Sequence, residues 1–572
     1  MKSEIRVCQN CKHDFTIEPE DFSFYERIKV PPPTFCPECR NQRRMSWRNE
    51  RTLYKRKCNA PGHTEEIISM YEPNFPGRVV DNEYWWSDKW DAMEYGRDYD
   101  FSRPFFEQFL ELFQNIPLSS LSTLNSINSK YTNFVDGNKN CYLIFASGWS
   151  EDCRYGTRFF KCKDSQDLFM CENCELCYEC VKCTDSNRLF YSLNSKECIE
   201  SYFLYNCRNC QHCFSCSNLV NKSYCIWNKQ YTREDYFKEL EKMDLTHFSN
   251  LVKYKEEFYK NIYLKSVHRY VNMVSSNLCI GDNIKNSKKC ISCFEIYGGA
   301  ENCKYLYGAL DIKDSYDGNG VFKNELSYEC VDCNVDSRNM FGVTIYESED
   351  VGYVFNCHDL KNSFGCVGLR KKQYCILNKQ YTKEEYEVLV EKIKKHMMDM
   401  PYIDKKGRVY KYGEFFPTEL SPFGYNATIA NEFYPINKDK VNDSGFRWVD
   451  RIEQEYKTDI YNKDIPDDAR TIEESFISKV VECGHREKCH EQCTGAFKLI
   501  PEEVSFYQRL KIPLPHLCPN CRHYQRLAQI NPMRLWHRKC MKEGCNNEFE
   551  TSYAPERPEI VYCEKCYQQE VY

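Results

Sequence analysis

Aromatic residues recur along the middle of the chain at a nearly constant step. From residue 140 to 243 they fall about every 12 residues, within short apolar runs such as RLFYS and SYFLY. Asn, Asp, Ser and Gly, which favour tight turns, separate these runs. The pattern predicts short strands stacked as a β-solenoid, with two strands in each coil of about 24 residues. An antiparallel meander of short hairpins is the alternative, because it would give the same spacing.

The patterned segment occurs twice. KSYCIWNKQYTREDY (Lys222–Tyr236) returns 150 residues later as KQYCILNKQYTKEEY (Lys372–Tyr386). Each copy ends in a capping-box sequence, beginning at Thr232 and at Thr382, that predicts a helix. Another amphipathic helix is predicted over Phe105–Phe113. Helices and end domains would then cap the repeats, as stacked arrays require.

The two ends of the chain share a different pattern. PTFCPECRNQRR (Pro33–Arg44) resembles PHLCPNCRHYQR (Pro515–Arg526), 482 residues further along. The same register relates Tyr25 to Tyr507. These segments are therefore two copies of one small domain.

Paired cysteines in both copies have the spacing of zinc ligands. Two Cys-x2-Cys turns can present four thiolates to one tetrahedral Zn²⁺ ion. The first copy supplies Cys8, Cys11, Cys36 and Cys39. The second supplies Cys493, Cys518 and Cys521, with the fourth ligand open between Cys489 and His490. A further quartet follows in the second copy, formed by Cys540, Cys545, Cys563 and Cys566.

The N-terminal copy keeps only part of that last quartet. Its register positions hold Cys58, His63, Asp81 and Tyr84. Cys58 and His63 are plausible metal ligands, but the second pair of thiolates is absent, so this site is predicted to be lost or weak. The sequence thus predicts about three zinc ions.

The residues around the first quartet resemble a known family. FTIEPEDFSFYERIKVPPPTFCPECR is similar to a bacterial zinc-ribbon domain, with its F…FY…P..CP.CR signature. End domains that flank NKQYT-containing repeats resemble an uncharacterised bacterial family. The resemblance implies zinc at the first quartet, and it supplies no enzymatic activity that could be carried over to this chain. His490 departs from the ribbon pattern.

Together these patterns predict a mostly β chain with some α-helix, in which solenoid-like repeats are capped by helices and two zinc-ribbon-type domains. The predicted order is an N-terminal zinc domain (1–95), a helical connector (96–139), two repeat units with their helices (140–260 and 261–400), an irregular connector (401–475) and a C-terminal zinc domain (476–572).

Cysteines in the middle of the chain fall at every third residue, as in CENCELCYECVKC (Cys171–Cys183). A metal cluster is one interpretation and disulfides are another. The second repeat, however, has Val321 and Asn324 in place of Cys171 and Cys174. Burial as a small hydrophobe explains both the abundance and the substitution best.

The composition and the apolar runs of the sequence indicate the cellular compartment in which the protein is expected. The chain has 572 residues, 37 cysteines and a formal net charge of -6. MKSEIRVCQN has no apolar core of a secretory signal, and no run of about 18 apolar residues predicts a membrane span. We therefore expect a cytoplasmic protein with reduced cysteines and no membrane partner.

Basic residues follow each CPxCR motif, interleaved with aromatic residues such as Trp47 and Tyr524. Cations beside aromatic faces suit phosphate contact and base stacking. The alternative is a solvated helix whose arginines pair with acidic residues elsewhere in the chain. The candidate nucleic-acid-binding residues are Arg40, Arg43, Arg44, Arg48, Arg522, Arg526, Arg534, Arg538 and Lys539.

The function predicted from these features is that of a non-enzymatic zinc-binding repeat protein that binds a macromolecule. RNA or the ribosome, bound through the two basic faces, is the first hypothesis. A protein-interaction scaffold that uses the repeat surface is the second, and a metal-cluster or redox protein using the cysteine-rich middle is the third. No GxxxxGK[ST], GxGxxG or HExxH motif nominates an enzyme.

Overall fold

The computed structural model describes residues 2–450, 457–486, 488–489 and 491–571. The chain is a mixed α/β protein with 32% strand and 24% helix. The α-helices of this described part are Pro19–Arg27, Pro37–Met45, Asn82–Trp86, Phe105–Asn115, Arg233–Met243, Phe248–Phe258, Lys383–Asp399, Ile429–Phe433, Lys438–Asp443, Pro501–Leu510, Pro519–Leu527 and Glu564–Val571.

Parallel strands form two ladders, which correspond to the two predicted repeat units. The first ladder (residues 123–230) has single paired residues between its strands Thr123–Leu124, Asn133–Asp136, Phe145–Gly148, Asn187–Phe190, Ile199–Tyr205, Gln211–Ser217, Ser223–Ile226 and Lys229–Gln230. The second ladder (residues 273–380) contains Met273–Val274, Ile280–Lys285, Lys288–Gly298, Glu301–Lys304, Tyr307–Lys313, Tyr316–Glu325, Tyr328–Ser337, Met340–Tyr346, Glu349–His358, Lys361–Phe364, Gln373–Ile376 and Lys379–Gln380.

Paired residues in both ladders lie mostly 12 positions apart in the chain. Tyr202 pairs with Phe214 in the first ladder, and Tyr316 pairs with Tyr328 in the second. The pairing is parallel except in the terminal hairpins, which excludes the antiparallel meander. One turn of either ladder therefore takes 12 residues, and the expected coil of about 24 residues is wrong.

A backbone conformation that repeats every three residues explains why the cysteines of the first ladder are buried. Cys174, Cys177 and Cys180 are almost fully buried, and each follows a residue with a left-handed backbone, such as Asn173 with φ 53°. The left-handed residue turns the chain after every triplet, so four triplets close one 12-residue turn around a narrow interior. Small side chains fit this interior, and the predicted burial of these cysteines is confirmed.

Polar atoms inside the first ladder are satisfied by the small residues that line it. The thiol of Cys174 donates to the carbonyl oxygen of Cys183 at 3.4 Å. Ser165 Oγ accepts from the backbone N–H of Cys177 at 3.0 Å and donates to the carbonyl oxygen of Lys163 at 2.8 Å. Cys and Ser therefore combine small volume with hydrogen bonding, which leucine could not do.

Short two-stranded sheets make up most of the remaining β structure. The pairs are Glu4–Val7 with Asp14–Ile17, Tyr54–Lys57 with Glu66–Ser69, Val79–Val80 with Leu118–Ser119, Val267–Arg269 with Ile560–Tyr562, Tyr402–Ile403 with Val409–Tyr410, Val480–Glu482 with Ala496–Lys498, and Trp536–Lys539 with Glu548–Thr551.

The predicted helices are present. The hydroxyl groups of Thr232 and Thr382 accept from the backbone N–H groups of Asp235 and Glu385 at 3.1 and 3.2 Å, as N-caps. The amphipathic segment after Pro104 forms a helix that packs its phenylalanines into the core of the second ladder. Both capping-box sequences thus start helices where the repeats end.

The end domains dock in a crossed arrangement. Helix Pro19–Arg27 of the N-terminal domain packs on the second ladder, where the rings of Tyr25 and Tyr328 lie 5.5 Å apart. Helix Pro501–Leu510 of the C-terminal domain packs on the first ladder, where Tyr507 and Tyr178 lie 5.7 Å apart. These are the same contact made by duplicated residues, so this helix of each end domain packs on the ladder that is farther from it in the chain.

Candidate metal centres

The first cysteine quartet is assembled as predicted. The sulfur atoms of Cys8, Cys11, Cys36 and Cys39 all lie within 4.8 Å of one another, and Cys11 and Cys36 are 3.7 Å apart. A tetrahedral zinc site with Zn–S bonds of about 2.3 Å places its sulfur atoms about 3.8 Å apart. The quartet therefore fits a tetrahedral metal ion.

Local structure directs hydrogen bonds at these sulfur atoms. Cys36 precedes helix Pro37–Met45, and its backbone N–H donates to Cys8 Sγ at 3.2 Å. Asn10 Nδ2 donates to Cys39 Sγ at 3.3 Å. Hydrogen bonding by Cys36 and Cys39 holds the pKa of the Cys8 thiol well below its usual range, which favours the thiolate form that binds metals.

The second quartet differs from the expected one in a single member. Cys493, Cys518 and Cys521 gather around Cys483, with Cys483 and Cys521 sulfur atoms 3.9 Å apart. The backbone N–H of Cys518 donates to Cys483 Sγ at 3.2 Å, as Cys36 does to Cys8 in the first domain. Cys483 is therefore the counterpart of Cys8.

Cys489 lies beside this quartet and not within it. Its sulfur atom is 3.8 Å from that of Cys521, in an overlapping group with His485 and Glu491. His490, the other expected ligand, lies outside the described residues. The gapless register misplaced the ligand because the loop after Cys483 is longer than the loop after Cys8. Strand Val480–Glu482 leads into Cys483 as strand Glu4–Val7 leads into Cys8, so a short β-forming run directly before a cysteine was the signal that could have found it.

The third quartet is assembled as predicted. The sulfur atoms of Cys545 and Cys563 are 3.9 Å apart, and the backbone N–H of Cys563 donates to Cys540 Sγ at 3.3 Å. Strand Ile560–Tyr562, directly before Cys563, pairs with Val267–Arg269 at the entrance to the second ladder. This centre therefore also fixes the start of that ladder. Its members are Cys540, Cys545, Cys563 and Cys566.

Cys58 and His63 also come together, although the register predicted a lost or weak site. Cys58 Sγ lies 3.6 Å from His63 Nδ1 and 3.3 Å from Asp81 Oδ2. Glu65 completes a group whose ligand atoms lie within 4.8 Å of one another. Within the described residues, the ladder cysteines form no group of this kind.

The arginines expected to bind nucleic acid lie in buried interfaces. Arg40 and Arg44 pair with Asp317 of the second ladder at 2.9 Å each. In the C-terminal domain, Arg522 and Arg526 pair with Asp167 of the first ladder at 2.7 and 2.8 Å. These four side chains are at most 2% exposed, so the structure does not present them to a phosphate backbone.

Two further candidate arginines make similar contacts in the N-terminal copy. Arg43 pairs with Glu329 at 2.7 Å and with Glu414 at 3.0 Å. Arg48 pairs with Asp332 at 2.8 Å. The acidic residues that complete these pairs lie far away in the chain, as the alternative interpretation of the basic segments expected. The arginines are buried, however, and do not lie on a solvated face of their helices.

The remaining three candidate cations lie nearer the surface. Arg534 and Lys539 are exposed and Arg538 is half-buried. The guanidinium group of Arg534 lies over the ring of Trp536, 5.5 Å from its centroid. Lys539 pairs with Glu548 at 3.2 Å, and Arg538 donates to the carbonyl oxygen of Ala554 at 3.2 Å.

Helix Ile429–Phe433 and the residue after it connect the two arginine-bearing helices. Asn41 of helix Pro37–Met45 donates to the hydroxyl group of Tyr434 at 2.8 Å. Glu432 contacts His523 of helix Pro519–Leu527 at 3.0 Å. The two ends of the chain therefore meet across the segment that the sequence suggested was an irregular connector.

No helix in the described ranges is both long and apolar enough to cross a membrane.

Comparison with known proteins assigns no family. No family model matches the chain, and no curated protein matches it. A solved structure from Desulfovibrio desulfuricans G20, assigned as an acetyltransferase, is similar over 45% of this chain and 61% of its own, with 12% identity and a TM-score of 0.09. At that TM-score the likeness carries no information about fold or activity.

Proposed function

We propose that this chain is a non-enzymatic, zinc-binding scaffold whose two ladders, as solenoid-type repeats, bind a protein partner. Zinc at the three cysteine quartets would hold the end domains in shape, and those domains would fix the ladders relative to each other. The cysteines of the first ladder are buried and form no disulfide with one another, which is consistent with a reducing cytoplasm.

The observation that supports this proposal is the duplicated ion pairing at Asp167 and Asp317. These residues occupy the same position in the two repeats, and each receives two arginines from an end domain. These four arginines stabilise the docking of the end domains on the ladders, and they are therefore not available to bind a polyanion such as RNA. The formal net charge of -6 also disfavours general attraction to RNA.

RNA or ribosome binding remains a second candidate, supported by the exposed Arg534 beside Trp536. Binding of fluorescent single-stranded RNA at two salt concentrations separates the two candidates. The scaffold proposal expects no salt-sensitive binding by the full chain. Salt-sensitive binding that an Arg534→Glu/Lys539→Glu variant loses would favour RNA instead.

A photo-crosslinking residue tests the scaffold directly in cells. Ile127 and Trp149 are 68% and 59% exposed on the first ladder, whereas Ile5 is 71% exposed on the N-terminal domain and serves as the matched control. We expect a discrete protein adduct from the ladder positions and none from position 5. Equal adducts from all three positions, or none from the ladder, would contradict a partner surface there.

A further inference from the structure

Three of the four ligand positions in the last quartet keep metal-binding side chains in the N-terminal copy. The shared register places Cys58, His63 and Asp81 where the C-terminal domain has Cys540, Cys545 and Cys563. The fourth position, held by Cys566, is occupied by Tyr84. The N-terminal copy therefore retains a ligand set with one member missing.

The geometry of the three retained side chains fits a metal ion. His63 Nδ1 lies 3.0 Å from Asp81 Oδ2 and 3.6 Å from Cys58 Sγ, and Cys58 Sγ lies 3.3 Å from Asp81 Oδ2. Ligand atoms around a tetrahedral Zn²⁺ with one sulfur, one nitrogen and one oxygen donor lie about 3.3 to 3.6 Å apart. Small adjustments would centre an ion among them.

The backbone holds two of these ligands in place. Asp81 caps helix Asn82–Trp86 by accepting from the backbone N–H of Tyr84 through Oδ1 at 2.8 Å, which leaves Oδ2 directed at the cluster. Cys58 is 6% exposed, and its sulfur atom accepts from the backbone N–H of Ala60 at 3.5 Å. Hydrogen bonds from backbone N–H groups that orient a carboxylate and a thiol in this way are typical of metal ligands.

Glu65 differs from the other members of the group. Its carboxylate lies 2.9 Å from His63 Nδ1, but the side chain is 55% exposed. A carboxylate that is more than half exposed to water binds a metal less firmly than the three supported ligands. Structural zinc sites are closed by four protein ligands, whereas sites with three keep a position for an external donor.

We propose that Cys58, His63 and Asp81 bind a fourth divalent ion of the Zn²⁺ class, with Glu65 as an exchangeable ligand. The fourth coordination position then accepts water or a small anion from solution. The three cysteine quartets have four protein ligands each and would only hold the end domains in shape. This fourth site has a position for an external ligand, so it goes beyond the scaffold function.

Metal analysis of the full chain tests occupancy. With excess Zn²⁺ and removal of unbound ion, we expect four ions per chain in the wild type and three in a His63→Ala variant. His537→Ala is the matched control, because His537, like His63, contacts two carboxylates but, unlike His63, no thiol. Equal metal content in the wild type and the His63→Ala variant would overturn the site.

Co²⁺ replacement tests the open position. Azide should change the visible spectrum of one Co²⁺ ion in the wild type and leave the spectrum of the His63→Ala variant unchanged. An azide response of equal size in both proteins would place the open position elsewhere. A spectrum that azide leaves unchanged in the wild type would show that the site is closed and overturn the exchangeable ligand.

Discussion

Neutralising Asp167 should release the C-terminal domain from the first ladder. Asp167 is fully buried and pairs with both Arg522 and Arg526. An Asp167→Asn substitution keeps the shape but leaves two buried guanidinium groups without their shared carboxylate. Removing one partner of a buried ion pair costs about 3–5 kcal/mol, and Glu503, 3.7 Å from Arg522, offsets part of that cost.

A loss of this size is large beside the 5–15 kcal/mol that typically separates folded and unfolded domains. Hydrogen exchange read by mass spectrometry should therefore find faster exchange in residues 501–527 of the Asp167→Asn variant. The matched substitution Asp317→Asn in the second ladder should instead speed exchange in residues 19–45. Urea unfolding of each variant measures the accompanying free energy.

Because of the crossed arrangement, each of these two substitutions should loosen only the end domain whose arginines it leaves unpaired. If Asp167→Asn loosened residues 19–45, or if each substitution cost under about 1 kcal/mol, the buried pairs would not hold the domains as argued. An Arg522→Gln/Arg526→Gln variant completes the test. Combined with Asp167→Asn, it should lose less stability than the sum of the separate changes, since the charges are removed together.

Three further outcomes follow from the site geometry and the ladder interior. Cys518→Ser should lower the zinc content by one ion and destabilise the C-terminal domain, whereas Cys489→Ser should leave the content unchanged; the reverse result would restore Cys489 as the ligand. Burial raises the pKa of Asp336 to about 8, so the folded state holds its proton where the unfolded state has lost it, and stability should fall as the pH rises from about 4 to about 8. By pH 7 this fall in the free energy of unfolding should reach at most about 4 kcal/mol, and the Asp336→Asn variant should not show it. Urea unfolding at several pH values measures the difference, and an equal pH dependence in both proteins would contradict the burial. Cys177→Leu should overpack the narrow interior and cost about 1–3 kcal/mol in thermal or urea unfolding, while a neutral result would mean that the interior has spare volume.

Sequence periodicity located the repeats but not the length of one turn. The aromatic step of 12 residues was visible, and so was the three-residue spacing of Cys171–Cys183. Ordinary strands of about five residues suggested two strands per coil. The structure instead turns after every third residue through left-handed backbone at positions such as Leu176 and Glu179, which are neither Gly nor Asn and gave no local signal.

Metal ligands were predictable where spacing alone defines them, as in the first and third quartets. Cys483 was missed because an inserted loop broke the register. The burial of six of the nine candidate residues was not predictable for a different reason: a local run of cations does not indicate which side of the helix meets solvent. Arg522 finds Asp167 across 355 positions of chain, a distance that no pattern within the segment could reveal.

Crossed docking also sets an order of events during synthesis. Arg40 is made 277 residues before its partner Asp317. At 5–20 residues per second, the N-terminal domain must wait roughly 14 to 55 seconds for the ladder that covers it. Throughout that interval its arginines face the surroundings of the ribosome exit without their carboxylates. The nascent protein thus exposes a cationic surface that the finished protein hides.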